Sequence, residues 1–462
     1  MERRFEVRMR AVLAECEVPP QVFHGWQERL REFVWPFLVR LARQEQIDHA
    51  GRYLTGLVSG LESKNVESIA YLHDQERRQL QAFVGHSPWD HRPLLDELAR
   101  QVGQELGEPD GVLVFDPSGF PKSGRNSVGV ARQWCGRLGK VDNCQVGVYL
   151  GYVSRREHAL VDMRLYLPED WARDRIRRRK CGVPSSVRFR TRHQLSLQML
   201  IDKRAHLPHA WVTGDDEMGR STWFRRELTG LHERYLLAVP SNTTIRDIET
   251  PPPPDPHRRK GAFEQVRVWA AALSATAWTS IDVRDGHRGP LVVEVVKTRV
   301  VAKTDRRRVG PEETLVVVRT AEDNGSWKYD YYLSNAPVET PLAEFARVAK
   351  AEHRIEECLQ RGKSEAGLAD YEVRTWVGWH HHQTLSLIAT WFLVQETRRG
   401  KKIHAGVDAT TGPRGPVETD RWGLRREQPG AHRPRPHAAT ATEPTGAPLS
   451  LEISQLVGAL ND

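Results

Sequence analysis

The 462-residue chain is poor in cysteine, and its five cysteines, Cys16, Cys135, Cys144, Cys181 and Cys358, stand apart. With no C-x-x-C pair there is no cysteine-built zinc site, and this density cannot form a disulfide framework. Reduced, mostly buried thiols are expected. Long apolar runs are missing as well: Leu387 to Val394 is interrupted by Thr390, far short of a membrane span. The start, Met1-Glu-Arg-Arg-Phe-Glu, has no apolar core like that of a signal peptide. A soluble cytoplasmic protein with no membrane partner is the expectation. Internal repeats are absent too. Acids are outnumbered, with 60 Asp plus Glu against 68 Lys plus Arg and a formal charge of +8. That excess suits a polyanion such as nucleic acid, and an ordinary solvated surface accounts for it equally.

The length allows about three domains. From about Pro20 to Gly107 apolar and charged positions recur at helical spacing, as in Trp26-Gln-Glu-Arg-Leu-Arg-Glu-Phe-Val, which predicts a helical N-terminal domain over residues 1–108. Strand-like runs then begin at Val112-Leu-Val-Phe115, Gln145 to Val153 and Ala159 to Leu167. A helix near Arg192 to Ala205, a strand at Ala210-Trp-Val-Thr213, a short helix from Ser221 and a strand at Tyr235 to Val239 complete the order βββαβαβ over residues 109–240. This is the order of an α/β, ribonuclease-H-like core. Pro251-Pro-Pro-Pro-Asp-Pro256 reads as a stiff connector into an inserted β subdomain, residues 241–339, with a small sheet of runs near Leu291, Thr314 and Tyr329. Two helices, about Leu342 to Gly362 and about Val377 to Arg399, close the core over residues 340–399. The Gly, Pro, Thr and Arg-rich remainder, residues 400–462, is expected to be mostly disordered, with an apolar segment at Leu449 to Leu460.

Three acids stand where a core of this kind brings chain segments together. Asp116 follows the first strand, and Asp215 follows another in Gly214-Asp-Asp-Glu-Met-Gly219, where three successive acids repel one another unless a cation or solvent relieves them. A turn-initiating Asp and an exposed acidic turn are the plainer readings. On the Leu342 to Gly362 helix, Glu352, Glu356 and Lys363 fall on the apolar stripe of Phe345, Val348, Ile355 and Leu359. A carboxylate on such a stripe calls for a metal or for an ion pair with Lys363. Three acids on separate elements suit Mg²⁺, which takes hard oxygen ligands and keeps positions open for water and phosphate. Two such ions would serve phosphodiester cleavage without a side-chain base.

Arg173 to Lys180 is the densest basic run, so Arg175, Arg177, Arg178, Arg179 and Lys180 are candidate phosphate contacts, a solvated loop being the alternative. Trp269, Trp278 and Trp327 are read first as packing residues. His380-His-His382 points around a helix rather than to one face and is read as structural.

The run from Phe115-Asp-Pro-Ser-Gly-Phe-Pro-Lys-Ser-Gly to Asn143-Cys-Gln-Val146 resembles the first-aspartate block of bacterial insertion-sequence DDE transposases. The likeness extends from Tyr53-Leu-Thr-Gly-Leu and Ser87-Pro-Trp-Asp90 through Arg164-Leu-Tyr-Leu-Pro-Glu-Asp-Trp171 and Gly214 to Gly219. It continues in Arg354-Ile-Glu-Glu-Cys-Leu-Gln-Arg-Gly-Lys363 and Tyr371-Glu-Val-Arg374 and reaches about Val394. The resemblance implies a ribonuclease-H-like core with a β insertion, and Asp116, Asp215 and Glu356 as catalytic metal ligands for Mg²⁺ or Mn²⁺. It implies element ends and target DNA as double-stranded partners, a homodimer at synapsis, and a nucleoid-associated place in a bacterial cytoplasm. Arg354 and Lys363 are the phosphate contacts expected from the glutamate helix. The family pattern has tyrosine and arginine where Ala349 and Glu352 stand, and commonly tyrosine where Met218 stands. A catalytically inactive or repurposed transposase-derived DNA-binding protein therefore stays open beside an active cut-and-paste enzyme.

Overall fold

The structure is a computed structural model that describes residues 25–249, 263–286 and 289–410. Cys16, the Pro251 to Pro256 connector and the tail with Leu449 to Leu460 lie outside the described residues. The described residues begin with five helices: α1 (Trp26–Leu38), α2 (Gln44–Leu57), α3 (Val66–Leu72), α4 (Arg77–Gly85) and α5 (Arg92–Leu106). Their spacing explains them. α2 buries Ala50, Tyr53, Leu54 and Leu57, and α5 buries Leu94, Leu95, Leu98 and Val102, steps of three and four that make one apolar face per helix. Asn65 caps α3 by accepting from the Ser68 N–H at 2.9 Å.

The strands β1 (Val112–Pro121), β2 (Ala131–Cys135), β3 (Lys140–Val153) and β4 (His158–Leu165) follow. After α6 (Glu169–Arg173), α7 (Arg175–Lys180) and α8 (Arg192–Lys203), the chain re-enters the sheet as β5 (Trp211–Gly214). It then forms α9 (Asp216–Arg220), α10 (Thr222–Gly230) and β6 (Tyr235–Ala238). β4 lies antiparallel on β3 and β3 antiparallel on β1, whereas β1, β5 and β6 run parallel. The predicted order βββαβαβ is present, with the short β2 added at the edge of β3.

One boundary differs from expectation. β1 does not leave the sheet at Asp116 but stays paired with β3 as far as Pro121↔Cys144. Two prolines fit this strand because Lys122 N–H donates to Asn143 O, so the odd-numbered positions Pro117 and Pro121 face away from β3, where β5 has already ended and the ladder keeps all its bonds.

The inserted segment supplies β7 (Thr244–Asp247), β8 (Glu264–Gln265), α11 (Val266–Ala271), β9 (Thr279–Gly286), β10 (Gly289–Lys303), β11 (Val309–Ala321) and β12 (Trp327–Ser334). It is not a separate small sheet. β12 pairs antiparallel with β6 through Tyr332↔Ala238 and Ser334↔Leu236, so all twelve strands belong to one sheet. The physical reason is the edge of β6, which would otherwise present unpaired backbone groups. The insertion nevertheless has its own core of Val266, Trp269, Val300, Leu315, Val317 and Leu333, with Trp278 packed against it. Trp327 flanks Arg319, whose guanidinium lies 4.3 Å from its ring and 4.2 Å from that of Trp278.

The last helices are α12 (Leu342–Ala349), α13 (Ala351–Glu365) and α14 (Trp376–Thr410). The expected single helix over 342–362 is broken at Lys350, and α14 runs past Arg399. The three adjacent histidines of α14 go separate ways: His380 Nδ1 meets Trp376 O, His381 stacks on Trp89, and His382 meets Tyr53 Oη at 2.8 Å. They are structural, as expected. Two compact units result, one from Met1–Arg29, Ser59–Leu61 and Leu393–Asp462, the other from Leu30–Val58 and Glu62–Phe392. In the first, Glu396 pairs with Arg29 at 2.6 Å and Arg399 at 2.8 Å. The second holds the whole sheet.

A buried ion pair ties the insertion to the parallel strands. Arg225 of α10 donates to Glu313 of β11 at 2.7 Å, Tyr235 of β6 donates to the same carboxylate at 2.6 Å, and the two charged side chains are 3% and 1% exposed. Glu313→Ala would strand the guanidinium in the interior, at a cost of about 3–5 kcal/mol. Urea unfolding of the purified variant measures it, and a decrease below about 1 kcal/mol would contradict the pairing.

Candidate active site

The site is built where the parallel pairing of β1 with β5 stops. Phe115 pairs with Gly214 in the parallel register, so Asp116, still within β1, and Asp215, the first residue beyond β5, come side by side, where neighbouring strands are about 4.8 Å apart. Asp215 turns directly into α9 as its cap, accepting from the Met218 N–H at 3.1 Å. This sharp exit requires Gly219, since a Cβ there would lie 1.8 Å from Ala238 O on β6. The other two acids of the turn pair with arginines, Glu217 with Arg192 at 2.5 Å and Asp216 with Arg220 at 3.4 Å, and both still add to the upward shift of Asp215. Asp215 is the acid of the turn that acts on Asp116.

α13 lies across these strands. Its Ile355 seats on Gly151 of β3, where an added Cβ would come within 2.3 Å of the side chain. The helix buries Ala351, Ile355, Cys358, Leu359 and Gly362. That face places Glu352 at its margin beside the aspartates and turns Glu356 outward. Glu356 is 74% exposed and lies 3.5 Å from His353 Nδ1. The expectation that both glutamates share a core-facing stripe therefore holds for Glu352 and fails for Glu356. The break at Lys350 is the reason: Phe345 and Ala349 belong to α12 and do not fix the rotation of α13.

The electrostatics follow from burial and like charge. Burial, then the neighbouring Asp215, pushes Asp116 up to about 7, with Lys363 opposing and Glu356 adding to the shift. Burial likewise raises Asp215 to about 7 against the Met218 hydrogen bond. Glu352 is pushed up to about 8 by burial and then by Asp215, Asp116, Asp330 and Glu356. Lys363 is the cation that acts on Asp116, and its Nζ donates to Ser118 Oγ on β1 at 2.7 Å. Arg192, which acts on Asp215, is engaged with Glu217. Hard, mutually repelling oxygens with too few cations fit a divalent ion. The carboxylates nevertheless do not form a closed cage, because among the described residues no three His, Cys, Asp or Glu side chains converge on one point as a metal group.

The candidate phosphate contacts divide sharply. Arg175, Arg179 and Lys180 of α7 are exposed. Arg178 instead donates to the carbonyls of Ala172, Pro184 and Val187, and Arg177 stacks 3.8 Å over Trp171. Arg354 donates to the carbonyls of Ser154, Arg155 and Arg156 in the β3–β4 turn. Glu352 is the site residue that sequence reasoning treats mainly as a departure, and its place on the apolar stripe is the signal that could find it.

A mixed α/β sheet with acids gathered where two parallel strands stop pairing is consistent with a nuclease fold, and comparison with known proteins agrees. A family model described as "DDE superfamily endonuclease" matches residues 36–290, a span that includes Asp116 and Asp215 but ends before α13. The chain belongs to that family, and within it to the insertion-sequence DDE transposases. It is 25% identical over 329 residues, 70% of this chain and 76% of the relative, to a protein of Microchaete diplosiphon described as "Probable transposase for insertion sequence element IS701".

The raised acids have a consequence for stability without metal. Their folded pKa values, about 7 for Asp116 and Asp215 and about 8 for Glu352, exceed the ordinary values of 3.8 and 4.5, so the folded state keeps protons that the unfolded chain has released. Their contribution is complete below about pH 4 and disappears as pH rises through 7 to 8. Thermal melts in chelator should show Tm falling between about pH 5.5 and 8.5, and falling less in Asp116→Asn. An equal fall in both proteins would contradict the shared burial of these acids.

Proposed function

We propose that the chain is a cut-and-paste transposase that binds the terminal repeats of its insertion sequence, hydrolyses phosphodiesters and joins the freed 3′-hydroxyl ends to target DNA. The observation that carries this is the pair of recessed aspartates side by side where β1 and β5 stop pairing, beneath a helix whose Glu352 and Glu356 act on the same site, with Lys363 as the cation acting on Asp116. The strand order β4-β3-β1-β5-β6, with the last three parallel, supports a ribonuclease-H-like core over residues 109–240 and 340–399, and β7 to β12 support the insertion over 241–339. The five helices described within residues 1–108 are the part available for holding DNA ends, and synapsis makes a homodimer on double-stranded DNA. The setting is bacterial cytoplasm, at the nucleoid.

Asp116, Asp215 and Glu356 are the proposed ligands of Mg²⁺ or Mn²⁺, with Glu352 as a fourth carboxylate of the same site. A bound ion there would offset charge on the phosphate and leaving oxygen. The chain's own part is positional: β1 and β5 hold two oxygens side by side, Lys363 restrains Asp116, and the exposed Glu356 adds its carboxylate by a change of rotamer. A second reading, a DNA-binding protein that does not cut, draws on that same exposure of Glu356 and on the open arrangement of the acids.

Cleavage of a plasmid carrying the element's ends, with Mg²⁺ or Mn²⁺, decides between them. Asp116→Asn and Asp215→Asn should each lower cutting by more than about 100-fold, the scale of an interaction made in the transition state. Affinity for the ends should change by less than about threefold. Undiminished cutting by Asp116→Asn would remove the site assignment, and no cutting by the parent protein would favour the second reading. Comparing Glu352→Gln with Glu356→Gln identifies which glutamate is indispensable.

The basic residues give a separate test. Alanine at Arg175, Arg179 and Lys180 together should weaken binding to all DNA sequences and reduce the slope of log affinity against log salt by about 0.9 for each phosphate no longer neutralised. Arg178→Ala should lower Tm instead, because its guanidinium braces three carbonyls.

A further inference from the structure

A cavity of about 700 Å³ opens in the larger unit, away from the acids, between the start of α5, the end of β4, α8, the 184–190 segment and the start of α14. We propose that it holds one unpaired nucleotide of the bound DNA, with the phosphodiester at Arg188 and Arg190 and the base against Trp376. The proposal rests on the reading of the chain as a DNA-acting protein.

Charge is the first argument. Three of the cavity's cations are already matched by acids: Arg164 pairs with Asp202 at 3.0 Å and with the fully buried Asp162, Lys203 pairs with Asp96, and Arg92 pairs with Asp90 at 3.2 Å. Those at the rim differ. Arg188 donates to the carbonyls of Ser185 and Val187, and Arg190 to the amide oxygen of Gln198, so neither has its charge balanced by these bonds. Both side chains are exposed at the mouth. Guanidinium groups so placed suit a phosphate, which they can grip with paired N–H donors.

Aromatic surface is the second argument. Trp376 is half-buried, its ring 4.4 Å from that of His380, which is itself 4.7 Å from the ring of His91. Both imidazoles are held neutral by burial, which lowers His380 to about 3 and His91 well below its usual value. The wall therefore offers uncharged ring faces and edges, and bases stack on such surfaces without regard to sequence.

Size and rigidity complete the case. The volume is that of a small-ligand pocket, which admits a nucleotide but not a base-paired duplex. Its wall is braced in advance: Arg178 holds the Pro184 and Val187 carbonyls, and the Trp376 N–H donates to Cys181 O at 2.8 Å. A wall already in place loses little entropy on binding. Extracting a base from the stack costs least where the strand is already single, as at a frayed or cut end.

The test uses the full chain carrying Asp116→Asn, in chelator, so that neither cutting nor metal enters the reading. A duplex with a three-nucleotide single-stranded overhang and the same duplex with blunt ends are compared by fluorescence anisotropy. The overhang should be bound roughly tenfold more tightly. Trp376→Ala and the double variant Arg188→Ala/Arg190→Ala should each abolish that preference, and Trp376→Phe should keep most of it. 5-Iodouracil in the overhang should crosslink to Trp376 or His91. Equal affinity for both duplexes, a preference that survives in the arginine variant, or crosslinks confined to other segments would overturn the proposal. Competition by free dTMP to the same extent as by the overhang would also overturn it, by assigning the cavity to free nucleotides. Because the arginines are exposed, their variant remains informative if Trp376→Ala misfolds. Absence of the overhang preference would leave the cleavage test at Asp116 untouched, so the two readings fail separately.

Discussion

Like-charged carboxylates set into the protein where two adjacent parallel strands stop pairing are the constraint on which the rest of this structure depends. The register of β1 on β5 brings Asp116, within β1, beside Asp215, the first residue after β5. Burial keeps their protons on to about pH 7 unless a cation intervenes, with Asp215 adding to the shift of Asp116 and Glu217 and Asp216 to that of Asp215. Several local features serve that arrangement. Gly219 lets the chain turn close to β6, Gly151 admits Ile355 so that α13 can lie close, and Arg192 and Arg220 pair with the neighbouring acids.

The insertion is part of the same mechanical unit rather than an appendage. β12 extends the sheet from β6, and the buried Arg225, Glu313 and Tyr235 cluster joins β11 to the elements immediately after Asp215. Displacing β10 to β12 would therefore reach the site through α10 and β6. The basic surface is divided too, with Arg178 and Arg354 bracing loops through three backbone carbonyls each and Arg188 and Arg190 exposed beside the cavity.

Much of this is legible in one dimension. The strand runs around Asp116 and Asp215, the helical start of the chain and the glutamate-bearing helix follow from periodicity, because alternation and the 3.6-residue repeat report which face meets a core. The insertion's membership in the main sheet is not legible, since pairing of β12 with β6 joins residues about a hundred positions apart and leaves no local mark. The break at Lys350 is equally hidden, as its flanking residues are good helix formers and the two helices share one apolar pattern.

By itself the sequence determined the class of elements, the family, and that Asp215 follows a strand, because these depend on short-range pattern and residue type, whereas the continuation of β1 past Asp116 came from its pairing with β3. Only the tertiary structure decided that Glu352 faces the aspartates while Glu356 faces solvent, that Arg178 and Arg354 brace loops, and that Arg188, Arg190 and Trp376 share a cavity. Those outcomes depend on how α13 is rotated and how distant segments pack, and rotation is fixed by packing such as Ile355 on Gly151 that no single segment contains.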